Sequence, residues 1–183
     1  MSSPFPETAP DFSDPLGLLL ACHGRMREHA GLLERLAEHL PEQGEVDAEA
    51  RQAARSVHTY FSTAAPLHHL DEERELFPRL VRTSLKMAET IHHLREDHQA
   101  LDRQWQSLAP ALRQPGTIED LAAFQRQARE FAEALREHLA YEEENFLELA
   151  RHLLSSRELK EIGRAMQERR QPQEPSMEEY LRV

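Results

Sequence analysis

A single cysteine, six glycines and no apolar run of membrane-spanning length set the limits of this 183-residue chain. One thiol, Cys22, supports neither an internal disulfide framework nor a cysteine-rich zinc fold. The longest apolar stretch, Leu16 to Cys22, falls far short of the roughly 20 residues a helix needs to cross a bilayer. Basic residues are outnumbered 22 to 33, for a formal charge of −11, and they form no clustered stripe. Neither nucleic acid nor an anionic membrane is therefore expected as a partner. Aromatics are only 6% of the chain, and with so little glycine a sandwich of short strands is disfavoured. The opening MSSPFPETAPDF lacks both the basic and the apolar regions of a secretory signal, so a cytoplasmic location is expected.

What the chain does have is helical rhythm. Residues 1–13 carry three prolines and read as a flexible arm. Asp14-Pro15 is an N-cap followed by proline at the first helical position, opening a helix to about Leu40. Pro41 to Val46 is a turn. Asp47 caps a second helix running to about Arg82, with Pro66 and Pro78 as kinks or local breaks. After a short connection a third helix continues to about Arg113, where Gln114-Pro115-Gly116 stops it. Thr117-x-x-Asp120 opens a fourth helix to about Leu153 in near-capping-box form, and Ser155-x-x-Glu158 is a capping box for a fifth ending near Arg170. A tail fills 171–183. No window alternates with period two. The expectation is an all-α domain over 14–170: an antiparallel up-down-up-down four-helix bundle with an additional short C-terminal helix.

Eleven histidines stand out against this background. The core-facing stripe of the first helix is Leu19, His23, Met26, Ala30, Leu33 and Ala37. The second helix offers Phe61, Ala65, His68, Glu72 and Leu76. In the third, Ile91, Leu94, His98, Leu101, Trp105, Leu108 and Leu112 step evenly, and in the fourth Leu121, Phe124, Ala128, Phe131, Leu135, His138, Glu142 and Phe146 do nearly the same. Each long helix thus places one histidine in its apolar stripe, and two add a glutamate one turn later. The chain also repeats itself. An offset of 70 residues lays Phe61 on Phe131, His68 on His138, Glu72 on Glu142 and Glu73 on Glu143, and an offset of 75 lays His23 on His98. Counting at about 1.5 Å per residue from the loops puts the four histidines at one depth, to within about a turn.

Unpaired buried carboxylates cost several kcal/mol each, and two in one layer repel. Either both glutamates turn outward or cations sit among them. Four imidazoles and two carboxylates are mixed N/O donors that suit iron or manganese, with zinc as an alternative. If both carboxylates bridge a pair of metals and an oxo or hydroxo group joins them, about one position per octahedral ion stays open, as a small diatomic ligand requires.

The stretch LHHLDEERELFPRL (67–80), its echo EHLAYEEENFLEL (137–149), and the lone histidines of CHGRMR and EDHQAL resemble the hemerythrin-like, or HHE cation-binding, family over about residues 14–153. The resemblance implies a non-haem di-iron centre in a four-helix bundle, with His23, His68, His98 and His138 as terminal ligands and Glu72 and Glu142 bridging. The oxygen carriers of that family add a fifth histidine through a His-x-x-x-His pair. Here position 94 is leucine, so the fifth ligand is either His69 or absent, and Asp102 could also lean in.

The remaining candidates have plainer readings. His69 with Glu73 lies about 100° off the stripe, at the rim or just behind the ligands. His92 and His93 flank the third seam, while His29, His39 and His152 are solvated. His58 lies on the second helix's seam, too far from His68 to share a centre. Cys22 is a small buried hydrophobe or a redox partner. The acidic runs 71–75 and 142–144 are solvated faces apart from Glu72 and Glu142. The leading functional expectation is a di-iron protein that binds or senses oxygen or nitric oxide, or handles iron. A redox enzyme comes second: the ferritin-like class needs Glu-x-x-His twice, and Glu89-x-x-His92 is the one instance here, off the core stripe. A metal-free helical interaction protein is third. A homodimer through the fifth helix is a further expectation.

Overall fold

The computed structural model describes residues 10–41 and 45–171, and among these every regular element is helical. Helix α1 (Pro15–His39) starts where Asp14 accepts a hydrogen bond from the Gly17 amide at 3.0 Å. Asp47 caps α2 (Ala48–Asp71) through the Ala50 amide at 2.7 Å. One wide turn (Glu72–Leu76) then carries α2 into the short α3 (Phe77–Leu80). In this turn the Phe77 amide donates to the Glu72 carbonyl, an i→i+5 bond of π type, often found at functional sites. Ser84 caps α4 (Leu85–Arg113), and α5 (Leu121–Glu142) passes through a second wide turn (Glu143–Leu147) into α6 (Glu148–Leu153). The capping box at Ser155 and Glu158 opens α7 (Ser156–Arg169) as expected.

Two local expectations change. Helix α2 runs unbroken through Pro66, whose missing donor is tolerated at an exposed position. The fourth long helix starts at Leu121, because Asp120 caps it through the Ala123 amide, while Thr117 belongs to the 3-10 turn Pro115–Thr117. The tail residues 172–183 and the arm residues 1–9 lie outside the described residues.

The four long helices touch in a closed ring, α1 on α2, α2 on α4, α4 on α5 and α5 on α1, while α7 lies on α1 and the first wide turn. Two apolar clusters fill the interior. One contains Met26, Leu33, Val57, Trp105, Leu112, Phe124 and Phe131. The other contains Leu19, Leu76, Phe77, Ile91, Leu94, Phe146 and Ile162. On each long helix the switch between clusters falls at a histidine: Leu19 and Met26 flank His23, Ala65 and Leu76 flank His68 and Glu72, Leu94 and Leu101 flank His98, and Leu135 and Phe146 flank His138 and Glu142. The bundle is therefore two oily plugs with a polar layer between them.

The helix α7 face that meets the arm needs a glycine. A Cβ built on Gly163 would sit 1.9 Å from the Phe12 carbonyl oxygen, a backbone atom that moves only with the chain. Gly163→Ala gains about 1 kcal/mol of helix propensity but forces an overpacking rearrangement of about 1–3 kcal/mol. The expected outcome is a net loss of stability in thermal unfolding. A raised Tm would show that residues 10–13 move aside freely.

Candidate metal centre

His23, His68, Glu72, His98, His138 and Glu142 are all buried, and they come together in the layer between the plugs. Two imidazole pairs face each other there in matching geometry. His23 and His68 have ring centroids 4.9 Å apart at 62°, and His98 and His138 are 4.9 Å apart at 71°. Glu72 reaches both pairs, with Oε1 2.8 Å from His68 Nε2 and Oε2 3.3 Å from His98 Nε2. Glu142 Oε2 lies 3.5 Å from His23 Nε2 and 3.6 Å from His138 Nε2. The inner nitrogens of His23 and His68 are themselves 3.1 Å apart.

Such distances look like hydrogen bonds, yet most lack the directions of one. Both oxygens of Glu72, both of Glu142 and the Nε2 atoms of His98 and His138 are enclosed without a hydrogen-bond partner. Buried polar atoms are almost always paired, so a group of six that are not calls for a ligand. Ligand bonds of about 2.0–2.2 Å at right or tetrahedral angles give donor-to-donor edges of about 3.0–3.5 Å, close to the spacings here. One ligand atom from each of His23, His68, Glu72 and Glu142 fits within 4.8 Å of the others, as do those of His69, His98 and His138. The donors fit a cation.

The outer ring nitrogens are held by carboxylates. Glu143 Oε1 is 2.9 Å from His23 Nδ1, Glu73 Oε1 is 2.8 Å from His98 Nδ1, and Asp97 Oδ2 is 3.2 Å from His138 Nδ1. These bonds put the proton on Nδ1 and turn the Nε2 lone pair inward, the arrangement ligating histidines need. Arg27 steadies Glu143 at 2.8 Å. His68 is the exception, because its Nδ1 has no partner. Half-buried Cys22, the repeat's counterpart of Asp97, takes its hydrogen bond from Arg25, at 3.1 Å.

Electrostatics tie the layer together. Burial works against charge on His98, but Glu72 and Glu73 outweigh it and lift that imidazole to about 9. His68 rises well above the usual histidine range for the same reason, with burial overcome mainly by Glu72. Glu72 is held well below the carboxylate range, its burial outweighed by His68 and His98, whereas Glu142 is pushed up by burial and by the neighbouring Glu72. Without a cation, protons must supply the positive charge of this layer.

Several sequence readings change here. The run 71–75 is not a solvated face: Asp71 is fully buried against Arg169 and Arg170, and Glu75 accepts from Arg169 at 2.7 Å. Glu73, expected at the rim or just behind the ligands, grips His98, while Glu143 and Asp97, which orient His23 and His138, carried no such expectation, although the repeat that lays Glu73 on Glu143 was the signal for the first of them. Asp102 does not lean in. It is exposed and accepts from Gln106 at 2.7 Å. His58 is off the seam, where buried Val57 takes its place, and it accepts from Arg113 instead. Glu89 and His92 are exposed, as their off-stripe position implied. His69 comes closer than the rim: its ring stacks on His98 with centroids 4.0 Å apart. Burial, followed by the neighbouring His98, holds it well below the usual histidine range.

Among the described residues, no helix is long and apolar enough to cross a membrane. The chain is 32% identical over 175 residues to an uncharacterised protein of Haemophilus influenzae, a match that covers 92% of this chain and 97% of that one. Residues 14–150 match the family model of the hemerythrin HHE cation-binding domain. With that match spanning the whole His/Glu layer, the chain belongs to the hemerythrin HHE cation-binding family.

Proposed function

We propose that the six residues hold two iron ions, His23 and His68 on one and His98 and His138 on the other. In this reading Glu72 and Glu142 bridge them with an oxo or hydroxo group, and the centre binds or senses oxygen or nitric oxide, or handles iron. The observation that carries this reading is the set of enclosed, unpartnered donor atoms. Glu72 supports a bridging role because its two oxygens approach histidines of different pairs. Mixed imidazole and carboxylate donors suit iron, with zinc or manganese as alternatives. Bound iron supplies open coordination positions and a change of oxidation state.

The chain's own part is orientation and exclusion. Glu143, Glu73 and Asp97 fix three rings, and the two apolar plugs keep bulk water from the layer. A cavity of about 80 Å³ is lined by His69 with Phe61, Leu101, Trp105, Phe131, Leu135 and the exposed Asp102. Its mostly apolar lining suits an uncharged diatomic molecule. The same reading treats residues 14–170 as one unit, an antiparallel up-down-up-down four-helix bundle with a short fifth helix, and the closed ring of contacts between long helices supports it.

Purification with and without air, followed by metal analysis and an optical spectrum, tests the reading. The expected result is paired iron with charge-transfer absorption that changes on adding oxygen or nitric oxide. Uptake of zinc alone, or of nothing after iron loading, overturns it.

A further inference from the structure

We infer that Arg169 is a positioning residue for the metal layer: from the end of α7 it staples the wide turn that carries Glu72 and Glu73. This rests on the metal reading above and concerns how firmly the layer keeps its ions. Asp71 ends α2 one residue before Glu72, and both carboxylates are fully buried. Successive helical residues point about 100° apart, so a fixed direction at Asp71 fixes that of Glu72. Glu72 faces the histidines, while Asp71 faces α7. One arm of the Arg169 guanidinium donates to Asp71 Oδ1 and the other to Glu75 Oε1 at 2.7 Å, so one planar group spans most of the turn. Arg170 takes Asp71 Oδ2 at 2.6 Å, and Arg79 donates to the Glu75 carbonyl at 2.6 Å. Four carboxylates fall within residues 71–75, and like charges this close push apart unless cations stand among them.

Among the described residues, the second half of the repeat has no such staple. The offset of 70 lays Asp71 on Tyr141 and Glu75 on Asn145. There the Asn145 side-chain amide donates to the Tyr141 carbonyl at 3.1 Å and ties the second wide turn from within. The first wide turn takes its tie from α7 instead, a helix outside the ring of four. The turn held in this way carries Glu72, which reaches both histidine pairs, and Glu73, which grips His98 Nδ1 at 2.8 Å. Loss of the fork therefore loosens the His98 and His138 side of the layer first.

The test loads the full chain with iron(II) without air and follows release to an excess of a chelator that colours with iron(II). Arg169→Ala is expected to release its first ion about tenfold faster than the unaltered chain, the scale on which groups behind metal ligands act. Arg169→Lys keeps the charge but cannot fork across Asp71 and Glu75, so it is expected to release nearly as fast with little loss of stability. Val57→Ala opens a cavity in the other apolar cluster, lowers stability without touching the staple, and is expected to keep the slow rate. Both Arg169 variants releasing at the unaltered rate overturn the inference. So does Val57→Ala releasing as fast as Arg169→Ala, which would make the effect one of general stability. A slow Arg169→Lys overturns it too, because charge alone would then suffice. Failure of the unaltered chain to take up iron overturns the metal reading itself, a result distinguishable from uptake followed by unchanged release.

Discussion

Exchanging both bridging candidates for their amides, Glu72→Gln with Glu142→Gln, is expected to abolish the gain in thermal stability that metal loading gives the unaltered chain. Both carboxylates are fully buried, and their oxygens have no hydrogen-bond partners. Without a cation the two differ. Burial and the neighbouring Glu72 push Glu142 up, whereas Glu72, despite its burial, is held well below the carboxylate range by His68 and His98, so its loss strips those raised imidazoles of their main counter-charge and lowers the metal-free Tm. With a cation both carboxylates are needed. Metal present at about 100 times its Kd stabilises a folded protein by about 2.7 kcal/mol, and each kcal/mol moves the Tm of a domain this size by about 2–4 °C. The unaltered chain should therefore gain several degrees on loading with iron, and the double variant none. Each protein is compared with itself, loaded and metal-free, so a general loss of stability does not imitate the result. A double variant that still gains on loading would place the metal elsewhere.

The parts of this molecule written in the short-range pattern were legible before any coordinates. Every residue assigned to the stripes of the first three long helices is buried, because a 3-4 rhythm fixes which face a helix turns inward. The depth count brought four histidines into one layer because helix rise is constant. What the pattern hides is the partner of a charge outside the stripe. Asp71 and Glu73 sit in a run of acids that reads as a wetted face, yet one is enclosed by Arg169 and Arg170 at the end of α7 and the other grips His98. Those pairings join residues about 98 and 25 positions apart, and no local periodicity encodes them. His69 lies closer in than the rim for a related reason. Its angle off the stripe is real, but the wide turn beginning at Glu72 and the stacking on His98 bring an off-axis ring inward. The wide turn in each half leaves no mark on composition.

Removing both arginines that enclose Asp71, through Arg169→Ala with Arg170→Ala, is expected to cost about 3 kcal/mol of stability. Asp71 is fully buried at the end of α2, one residue before Glu72. Arg169 donates to its Oδ1 and, with the other arm of the guanidinium, to Glu75 at 2.7 Å, while Arg170 reaches Oδ2 at 2.6 Å. Stripping the partners from a buried charge costs about 3–5 kcal/mol. The arginine side chains are 15% and 26% exposed, so water can enter where they leave, which favours the lower end, about 3 kcal/mol. Urea unfolding measures it, and a third substitution separates charge from packing. Adding Asp71→Leu to the double variant removes the stranded carboxylate and should recover most of the loss, because an apolar group needs no arginine. If the triple variant stays as unstable as the double, the clamp acts through the packing of α7 on the first wide turn rather than through the buried charge. If the double variant loses less than about 1 kcal/mol, the pair is in effect a surface ion pair, and α7 is held by Ile162 and Met166 instead.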